Sequence, residues 1–281
     1  MRRVLVLVPL LLACGAPVPS TQDSGPHARI DAPPAGRATS DRPDDVTGPQ
    51  VHLFYVVPAD GEDRQLDLDG TLARSVAAWN GWLGRELGGA GFRLDTAGGE
   101  LDITFVRLSQ DEASLTARGA YVRDALEDEL SSRGDVGPQH PDKLAAVYYD
   151  GGSTWACGGG AWPPALVGRV AAMYLRGTPP GAPPCAGNPF SPDGVATGYL
   201  EFAMVHEILH TVGAVATCAP NHALDGHVGD DPTDLMYAGP LPWQPSRLDV
   251  GRNDYAGHGR ADCLDLTRSA LLGGDQRPPG W

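Results

Sequence analysis

The stretch TGYLEFAMVHEILHTV, residues 197–212, decides how this 281-residue chain is interpreted. It contains no Pro, and its one Gly stands near its beginning. Apolar side chains recur every four residues, at Leu200, Met204, Ile208 and Val212. This spacing places them on one face and predicts an amphipathic helix that packs on a core. Gly213 follows directly and predicts a left-handed helix end.

The predicted helix contains the pentapeptide HEILH at residues 206–210. Two imidazoles four residues apart lie on one helix face, about 6 Å apart along the axis, where they can bind one metal ion. His206 and His210 are therefore candidate zinc ligands. Glu207 is turned out of that row but stays near the metal, so it is the candidate general base that accepts a proton from a water. The alternative is an ordinary amphipathic helix with two surface histidines.

A catalytic zinc site needs a third protein ligand and an open position for water. The segment from His206 to Gly213 matches, in register, the first eight positions of HExxHxxGxxH, and here the chain resembles the metzincin clan of zinc peptidases. The position of the third His is occupied by Ala216, which cannot bind a metal. The resemblance therefore implies an insertion between Gly213 and the third ligand.

The downstream run HVGDDPTDLMY, residues 227–237, is similar to the matrixin-like continuation of that motif. The similarity implies that His227 is the third ligand and that Met236, in the Leu-Met-Tyr turn, forms a hydrophobic floor beneath the metal. It also implies that Asp230 braces the turn after His227. His222 remains the rival third ligand.

Two further interpretations concern residues near this turn. Tyr237 directly follows the Met and is interpreted as structural. A calcium ion is a possible addition to the single catalytic zinc, although nothing further in the sequence supports it; its ligands would come from the acids Asp225, Asp230, Asp231 and Asp234.

The N-terminus resembles a bacterial lipoprotein signal. Arg2 and Arg3 precede an apolar run too short to span a bilayer, and the run ends in Leu-Leu-Ala-Cys at Cys14. Residues 1–13 are predicted to be cleaved and Cys14 to carry lipid; an ordinary cleaved signal peptide is the alternative. Both place the mature chain outside the cytoplasm, either anchored to a bacterial membrane (the outer membrane or the cell surface) or secreted.

Residues 14–50 are rich in Pro, Ala, Asp, Ser and Gly and nearly free of large apolar residues. Such a composition predicts a flexible tether between the lipid and the folded domain, with a propeptide as the alternative. The remainder, residues 51–281, is long enough for one domain in two lobes, an upper lobe of about 51–213 and a lower lobe of about 214–281.

Four cysteines remain after the signal, an even number in an oxidising compartment, and two disulfides are expected. We favour Cys157 with Cys185 and Cys218 with Cys263, although sequence leaves the other two pairings open. Zinc binding by these cysteines is the weaker interpretation, because no CxxC spacing occurs.

The formal charge is −14, and loss of Arg2 and Arg3 with the signal takes it to −16. An acidic surface argues against nucleic acid and anionic lipid surfaces as partners, so contact with a membrane is expected through the N-terminal lipid alone. A peptide or protein substrate and a monomeric state are the remaining expectations.

The order of predicted elements agrees with the resemblance. Strands are predicted at residues 51–57, 101–108, 144–149 and 167–175, and helices at 70–87 and 113–130. The resemblance implies an α+β, metzincin-like fold, with a twisted mixed sheet and helices over the active-site helix. It also implies a small C-terminal lobe with the Met turn and a helix at about 263–272.

Two segments have open interpretations that bear on the cleft. The strand at 167–175 is the candidate edge strand for an extended substrate, with an interior strand as the alternative. The stretch WACGGGAWPP, residues 155–164, is interpreted as a loop. Its Trp155 and Trp162 either pin that loop or line a substrate subsite.

The expected function is zinc-dependent hydrolysis of peptide bonds by a metalloendopeptidase. Three neutral imidazoles leave the zinc its positive charge, which lowers the pKa of a bound water to about 7. One alternative is a catalytically idle surface lipoprotein that uses the scaffold for binding and zinc for structure. Another is a gluzincin, in which an acidic residue is the third ligand.

Overall fold

The computed structural model describes residues 36–281. The predicted signal, Cys14 and the first part of the predicted tether lie outside these residues. The strands are β1 (Gln50–Val57), β2 (Thr96–Ala97), β3 (Glu100–Leu101), β4 (Ile103–Arg107), β5 (Lys143–Tyr149), β6 (Gly158–Trp162), β7 (Leu166–Tyr174), β8 (His222–Ala223) and β9 (His227–Val228). The α-helices are α1 (Thr71–Leu87), α2 (Glu112–Thr116), α3 (Val122–Arg133) and α4 (Tyr199–Thr211).

Five strands form one mixed sheet in the order β4-β1-β5-β7-β6. The first four are parallel, and β6 runs antiparallel to β7 at one edge. The two other strand pairs, β2 with β3 and β8 with β9, are short antiparallel ribbons. The expected α+β class and mixed sheet are confirmed.

Helices cover both faces of the sheet, which explains why β1 is apolar along its whole length. Leu53 and Tyr55 pack in the cluster that includes α1 and α4, whereas Phe54 and Val56 pack in the cluster that includes α3. Every residue of β1 is buried. The helix that carries HEILH therefore packs directly on the sheet.

Two helix predictions differ from the structure. The helix expected at 113–130 is interrupted at Gly119, whose φ is +60°, so that α2 and α3 are separate. The C-terminal helix expected at 263–272 is wrong, because that segment forms two 3-10 turns, Leu266–Arg268 and Ala270–Leu272. Asp265 and Ser269 accept hydrogen bonds from backbone N–H groups two residues ahead, an alternative to continuous helix.

The edge-strand prediction is also wrong. The segment expected at the edge forms β7, which lies between β5 and β6, and the glycine run read as a loop forms the edge strand β6. A Cβ on Gly158 would lie 2.7 Å from Oε1 of Glu207, and one on Gly160 only 2.4 Å from the Glu207 carbonyl oxygen. Glycine thus allows β6 to lie directly against α4, and a run without side chains gives no periodic signal.

The predicted tether extends too far, because residues 37–49 pack on the domain. The Phe105 N–H of β4 donates to the Ala38 carbonyl at 2.9 Å, and the Arg37 guanidinium lies 3.5 Å from the Phe105 ring centroid. Lys143 Nζ donates to Asp44 at 2.7 Å and to Asp95 at 2.6 Å. Charge pairs thus hold a segment that has few large apolar side chains, and the segment lies along β4, at the sheet edge opposite β6.

Both disulfides follow the favoured pairing. Cys157 is bonded to Cys185, and Cys218 to Cys263. None of the helices within residues 36–281 is long and apolar enough to cross a bilayer.

Candidate metal centre

Helix α4 is fixed at both ends. At its start the Gly198 N–H donates to Glu201 Oε2 at 3.0 Å, while Oε1 of that carboxylate accepts from Ser75 Oγ on α1 at 2.8 Å. At its end Gly213 adopts a φ of +72° and its N–H donates to the His210 carbonyl at 2.9 Å. The predicted helix and its glycine stop are confirmed, and α4 is a rigid support for the side chains it carries.

Three imidazoles converge beside this helix, where His210 is buried and His206 and His227 are partly buried. His210 Nε2 lies 2.9 Å from Nε2 of His206 and 3.1 Å from Nε2 of His227. His222, the rival third ligand, lies on β8 and outside this group of potential ligand atoms. The structure therefore brings His227, the residue preferred from the sequence, to the two helical histidines.

Hydrogen bonds fix the orientation of two of the three rings. His206 Nδ1 lies 2.7 Å from the Leu235 carbonyl oxygen, and His227 Nδ1 lies 3.0 Å from that of Leu224. A carbonyl accepts only, so each Nδ1 carries the proton and each Nε2 presents a lone pair. His210 Nε2 lies within 3.1 Å of both of these Nε2 atoms, so the three Nε2 atoms would converge on a cation placed between them once His210 carries its proton on Nδ1.

All three imidazoles are held in the neutral form. Burial, with a contribution from His227, lowers the pKa of His206 to about 3. Burial also lowers the pKa of His210 well below its usual range and lowers that of His227. Neutral imidazole is the form that binds a metal.

His227 lies in irregular structure that contacts at several points hold in place. Strand β9 begins with His227 and pairs with β8, and its Val228 N–H donates to the Met236 carbonyl at 2.9 Å. The disulfide of Cys218 anchors the preceding loop to residue 263. Asn221 donates through its backbone N–H, at 2.7 Å, to the buried carboxylate of Asp254. The segment between Gly213 and His227 is thus an anchored loop.

The turn around Met236 is braced by an acid other than the one expected. Met236 is fully buried, and its N–H donates to Asp234 Oδ1 at 2.8 Å. The same carboxylate accepts from the Val250 N–H and from the Tyr255 hydroxyl, both at 2.8 Å. Asp230 is exposed, so the bracing role predicted for it is wrong. An acid two residues before a turn residue is a common backbone acceptor, and that signal could have identified Asp234.

Two aromatic residues, Tyr237 and Trp243, form hydrogen bonds at the Met236 turn. The Tyr237 hydroxyl accepts from the Leu241 N–H at 3.1 Å, in keeping with a structural role. Trp243 Nε1 donates to the Leu235 carbonyl at 3.0 Å, the same oxygen that accepts from His206. Its ring stands edge-on to His206 at 5.6 Å between centroids. Trp243 was missed because neither its spacing nor its surroundings in the sequence connect it with HEILH.

Glu207 lies between α4 and the edge strand. It lines a cleft of about 210 Å³ together with His206, His227, Gly158 and Trp243. Burial raises the pKa of Glu207 to about 8, opposed by the Gly160 backbone N–H and by the Arg123 guanidinium. A carboxylate in this position faces the same cleft as the imidazoles and can exchange a proton there.

The donor set fits a zinc ion. Tetrahedral zinc with bonds of about 2.0 to 2.1 Å separates its ligand nitrogens by roughly 3.3 Å, close to the separations observed from His210 Nε2. The four cysteines of the described chain are all in disulfides, which leaves nitrogen ligands at this site.

Other acidic groups do not form a comparable site. Among residues 36–281, the second group of potential ligands comprises Asp41, His52, Asp95 and Asp102. Cationic side chains already bind it, since Lys143 donates to Asp95 and Arg42 to Asp102. The acids suggested for calcium are not gathered into any such group.

No protein-family model matches the sequence, and no curated protein matches it. Among solved structures, the chain is similar to the crystal structure of wild-type OgpA from Akkermansia muciniphila, at 16% identity and a TM-score of 0.42, over 78% of this chain and 62% of that one. It is also similar to that of metalloproteinase-II from Bacteroides fragilis, at 17% identity and a TM-score of 0.34, over 79% and 56%. The chain thus spans less than two thirds of either structure, and likenesses this weak carry no argument about function.

Proposed function

We propose that this protein is a zinc metalloendopeptidase that hydrolyses peptide bonds in the cleft beside α4. The observation that carries the proposal is the convergence of three neutral imidazoles, two of them with Nε2 lone pairs set by backbone hydrogen bonds, beside the Glu207 carboxyl group. This is the donor set of a zinc site with one position left for water or substrate. The metzincin resemblance and the Met236 turn, whose Leu235 carbonyl oxygen lies 2.7 Å from His206 Nδ1, support the same assignment.

The protein's own groups have distinct roles in this reaction. His206, His210 and His227 would hold a zinc ion, which would supply Lewis-acid chemistry for attack of water on the substrate carbonyl. Glu207 accepts the proton of the attacking water and transfers it to the leaving amine. A cation held by the imidazoles would stabilise its carboxylate form and would oppose the rise in its pKa that burial causes. Met236 supports the site from below without binding the metal.

Strand β6 is the proposed docking edge for the substrate. It is the outer strand of the sheet next to α4, whereas the opposite edge, β4, is bonded to the segment 37–49. An extended peptide can add to such an edge through backbone hydrogen bonds, which place its carbonyl groups along the cleft. Docking of this kind recognises the backbone of an extended peptide, which suits an endopeptidase.

We also propose that the mature protein acts outside the cytoplasm, with lipid on Cys14 and residues 15–36 as the tether. Two disulfides support an oxidising compartment. Incorporation of labelled lipid into wild type but not into Cys14→Ser, followed by membrane fractionation, tests this assignment. Equal fractionation of both forms would favour a secreted protein.

The activity is tested with Glu207→Gln. Loss of the base lowers kcat/KM on a diverse peptide library by at least about 10³-fold, while the bound zinc, measured by elemental analysis, remains stoichiometric. Glu100→Gln, at an exposed position on β3, is the matched control and retains full activity. Full activity of Glu207→Gln would contradict the mechanism. A zinc-loaded wild type that cleaves no peptide would instead favour the catalytically idle binding protein.

A further inference from the structure

A second cavity lies on the opposite side of strand β6 from the metal centre. It has a volume of about 80 Å³, and we call it the α3 pocket. The glycine backbone of β6 forms its floor, and its walls include the side chains of Arg123, Asp124, Trp155, Trp162 and Tyr174. Since Gly158 borders both this pocket and the catalytic cleft, one edge strand separates the two.

The geometry of β6 determines which side chain of a docked peptide would enter the pocket. A Cβ on Gly158 or Gly160 would point at α4, whereas a Cβ on Gly159 would point toward the Tyr174 hydroxyl, at 2.6 Å, and toward Arg123, at 3.3 Å. Residues directly opposite one another on paired strands share a face. The substrate residue opposite Gly159 therefore points into the α3 pocket, and the glycine leaves the space for it.

The more exposed charge of the pocket is a carboxylate. The Arg123 guanidinium is bonded to Asp124, which lines the pocket, and to Glu127, which does not, so its positive charge is already paired with two carboxylates. The Arg123 side chain is only 6% exposed, while that of Asp124 is 33% exposed. An incoming side chain thus meets a carboxylate, and the guanidinium behind it is already occupied.

The walls of the α3 pocket also favour a positively charged side chain. Trp155 is 63% exposed and Trp162 37% exposed, which is unusual for such large apolar side chains. Indole rings attract cations through their faces, and a chain of net charge −14 adds a general attraction for basic peptides.

We propose that the α3 pocket is a specificity subsite that receives an Arg or Lys side chain of the peptide substrate, next to the cleaved bond. The assignment rests on the proposed peptidase function and on docking of the substrate at β6. It gives Trp155 and Trp162 a role in substrate recognition, and it defines the substrate class as extended basic peptides.

The test maps cleavage sites by mass spectrometry in a proteome-derived peptide library digested with the zinc-loaded protein. Arg or Lys is expected at one fixed position within two residues of the cleaved bond. For a matched pair of peptides with Lys or Leu at that position, Asp124→Asn reduces the Lys-to-Leu ratio of kcat/KM by about fivefold, and Trp155→Ala reduces it by a similar factor. Asp128→Asn, which removes the same charge from an exposed position on α3 outside the pocket, leaves the ratio unchanged.

The outcomes distinguish the subsite proposal from the peptidase proposal. Efficient cleavage without enrichment of Arg or Lys, or an unchanged ratio in both pocket variants, overturns the subsite and leaves the peptidase assignment intact. A fall in the ratio that Asp128→Asn reproduces also overturns it, because the effect then comes from the charge of the whole chain. Absence of cleavage by wild type overturns both. Loss of the Lys preference in the pocket variants alone supports the subsite.

Discussion

The upper region, residues 50–213, and the lower region, residues 214–281, satisfy their backbone groups in different ways. The upper region contains the five-stranded sheet and all four α-helices found within residues 36–281. The lower region has only two-residue strands and 3-10 turns, and buried carboxylates accept many of its N–H groups. Asp249 Oδ2 accepts from the N–H groups of Tyr255 and Ala256, both at 2.7 Å, and Asp265 accepts from Gly257 at 2.8 Å.

The metal centre joins these two regions. His206 and His210 come from a helix fixed at both ends, whereas His227 comes from a short ribbon whose position depends on the Met236 turn and a disulfide. Both regions share one apolar core, in which Met236 and Tyr255 pack in the same cluster as Ile208. Regular structure therefore positions the first two candidate ligands, His206 and His210, whereas side-chain hydrogen bonds and a disulfide position the third, His227.

The largest expected effect is the loss of the third ligand. His227→Ala removes a nitrogen donor and lowers zinc affinity on the order of 10³-fold, more than the roughly 10- to 100-fold typical of an outer partner. His222→Ala, five residues earlier on the same ribbon, is the matched control and keeps its affinity. Competitive titration with a chelator measures both. If His222→Ala lost more affinity than His227→Ala, the lower region would supply a different ligand from the one assigned here.

Removal of each disulfide tests whether the position of His227 depends on the covalent bond in the lower region. Each closes a loop of tens of residues, so replacing either pair by Ser lowers the free energy of unfolding by about 2 to 4 kcal/mol. Replacement of Cys218 and Cys263 also weakens zinc binding, because that bond holds the loop before His227. Replacement of Cys157 and Cys185 leaves zinc binding intact and raises KM for peptides, since Cys157 directly precedes the docking strand.

Denaturant unfolding, zinc titration and peptide kinetics on the two disulfide variants provide the comparison. Equal losses of zinc affinity in both would show that the metal centre does not depend on one region more than the other.

The smallest expected effect concerns contact between α4 and β6 within the upper region. Gly160→Ala introduces a Cβ 2.4 Å from the Glu207 carbonyl oxygen and 2.9 Å from His210 Cβ, so the strand must shift away from the helix. Overpacking of this kind costs about 1 to 3 kcal/mol. Gly89→Ala, where nothing lies within 4 Å of the new Cβ, is the control. Thermal unfolding measures the difference, and equal stability of the two variants would show that β6 is not held tightly on α4.

Sequence reasoning worked best where periodic patterns exist. The core strand β1 and the helices α1 and α4 follow from runs of apolar residues whose spacing matches one face or a fully buried strand. It failed at β6, because three consecutive glycines have no side-chain pattern, and the close approach of Glu207 and Tyr174 that requires them comes from other segments. The packing of segment 37–49 was not predicted, for a related reason. Its ion pairs join residues that lie far apart in the chain, such as Asp44 and Lys143.

The sequence by itself determined the helix that carries His206, Glu207 and His210, because ligand spacing and apolar spacing are both local properties of one helix. It also favoured His227 and the disulfide pairing through resemblance and parity. The tertiary structure alone decided which strand forms the edge of the cleft and what lies behind β6. These features depend on distances between segments far apart in sequence, and such distances are set only when the whole core packs.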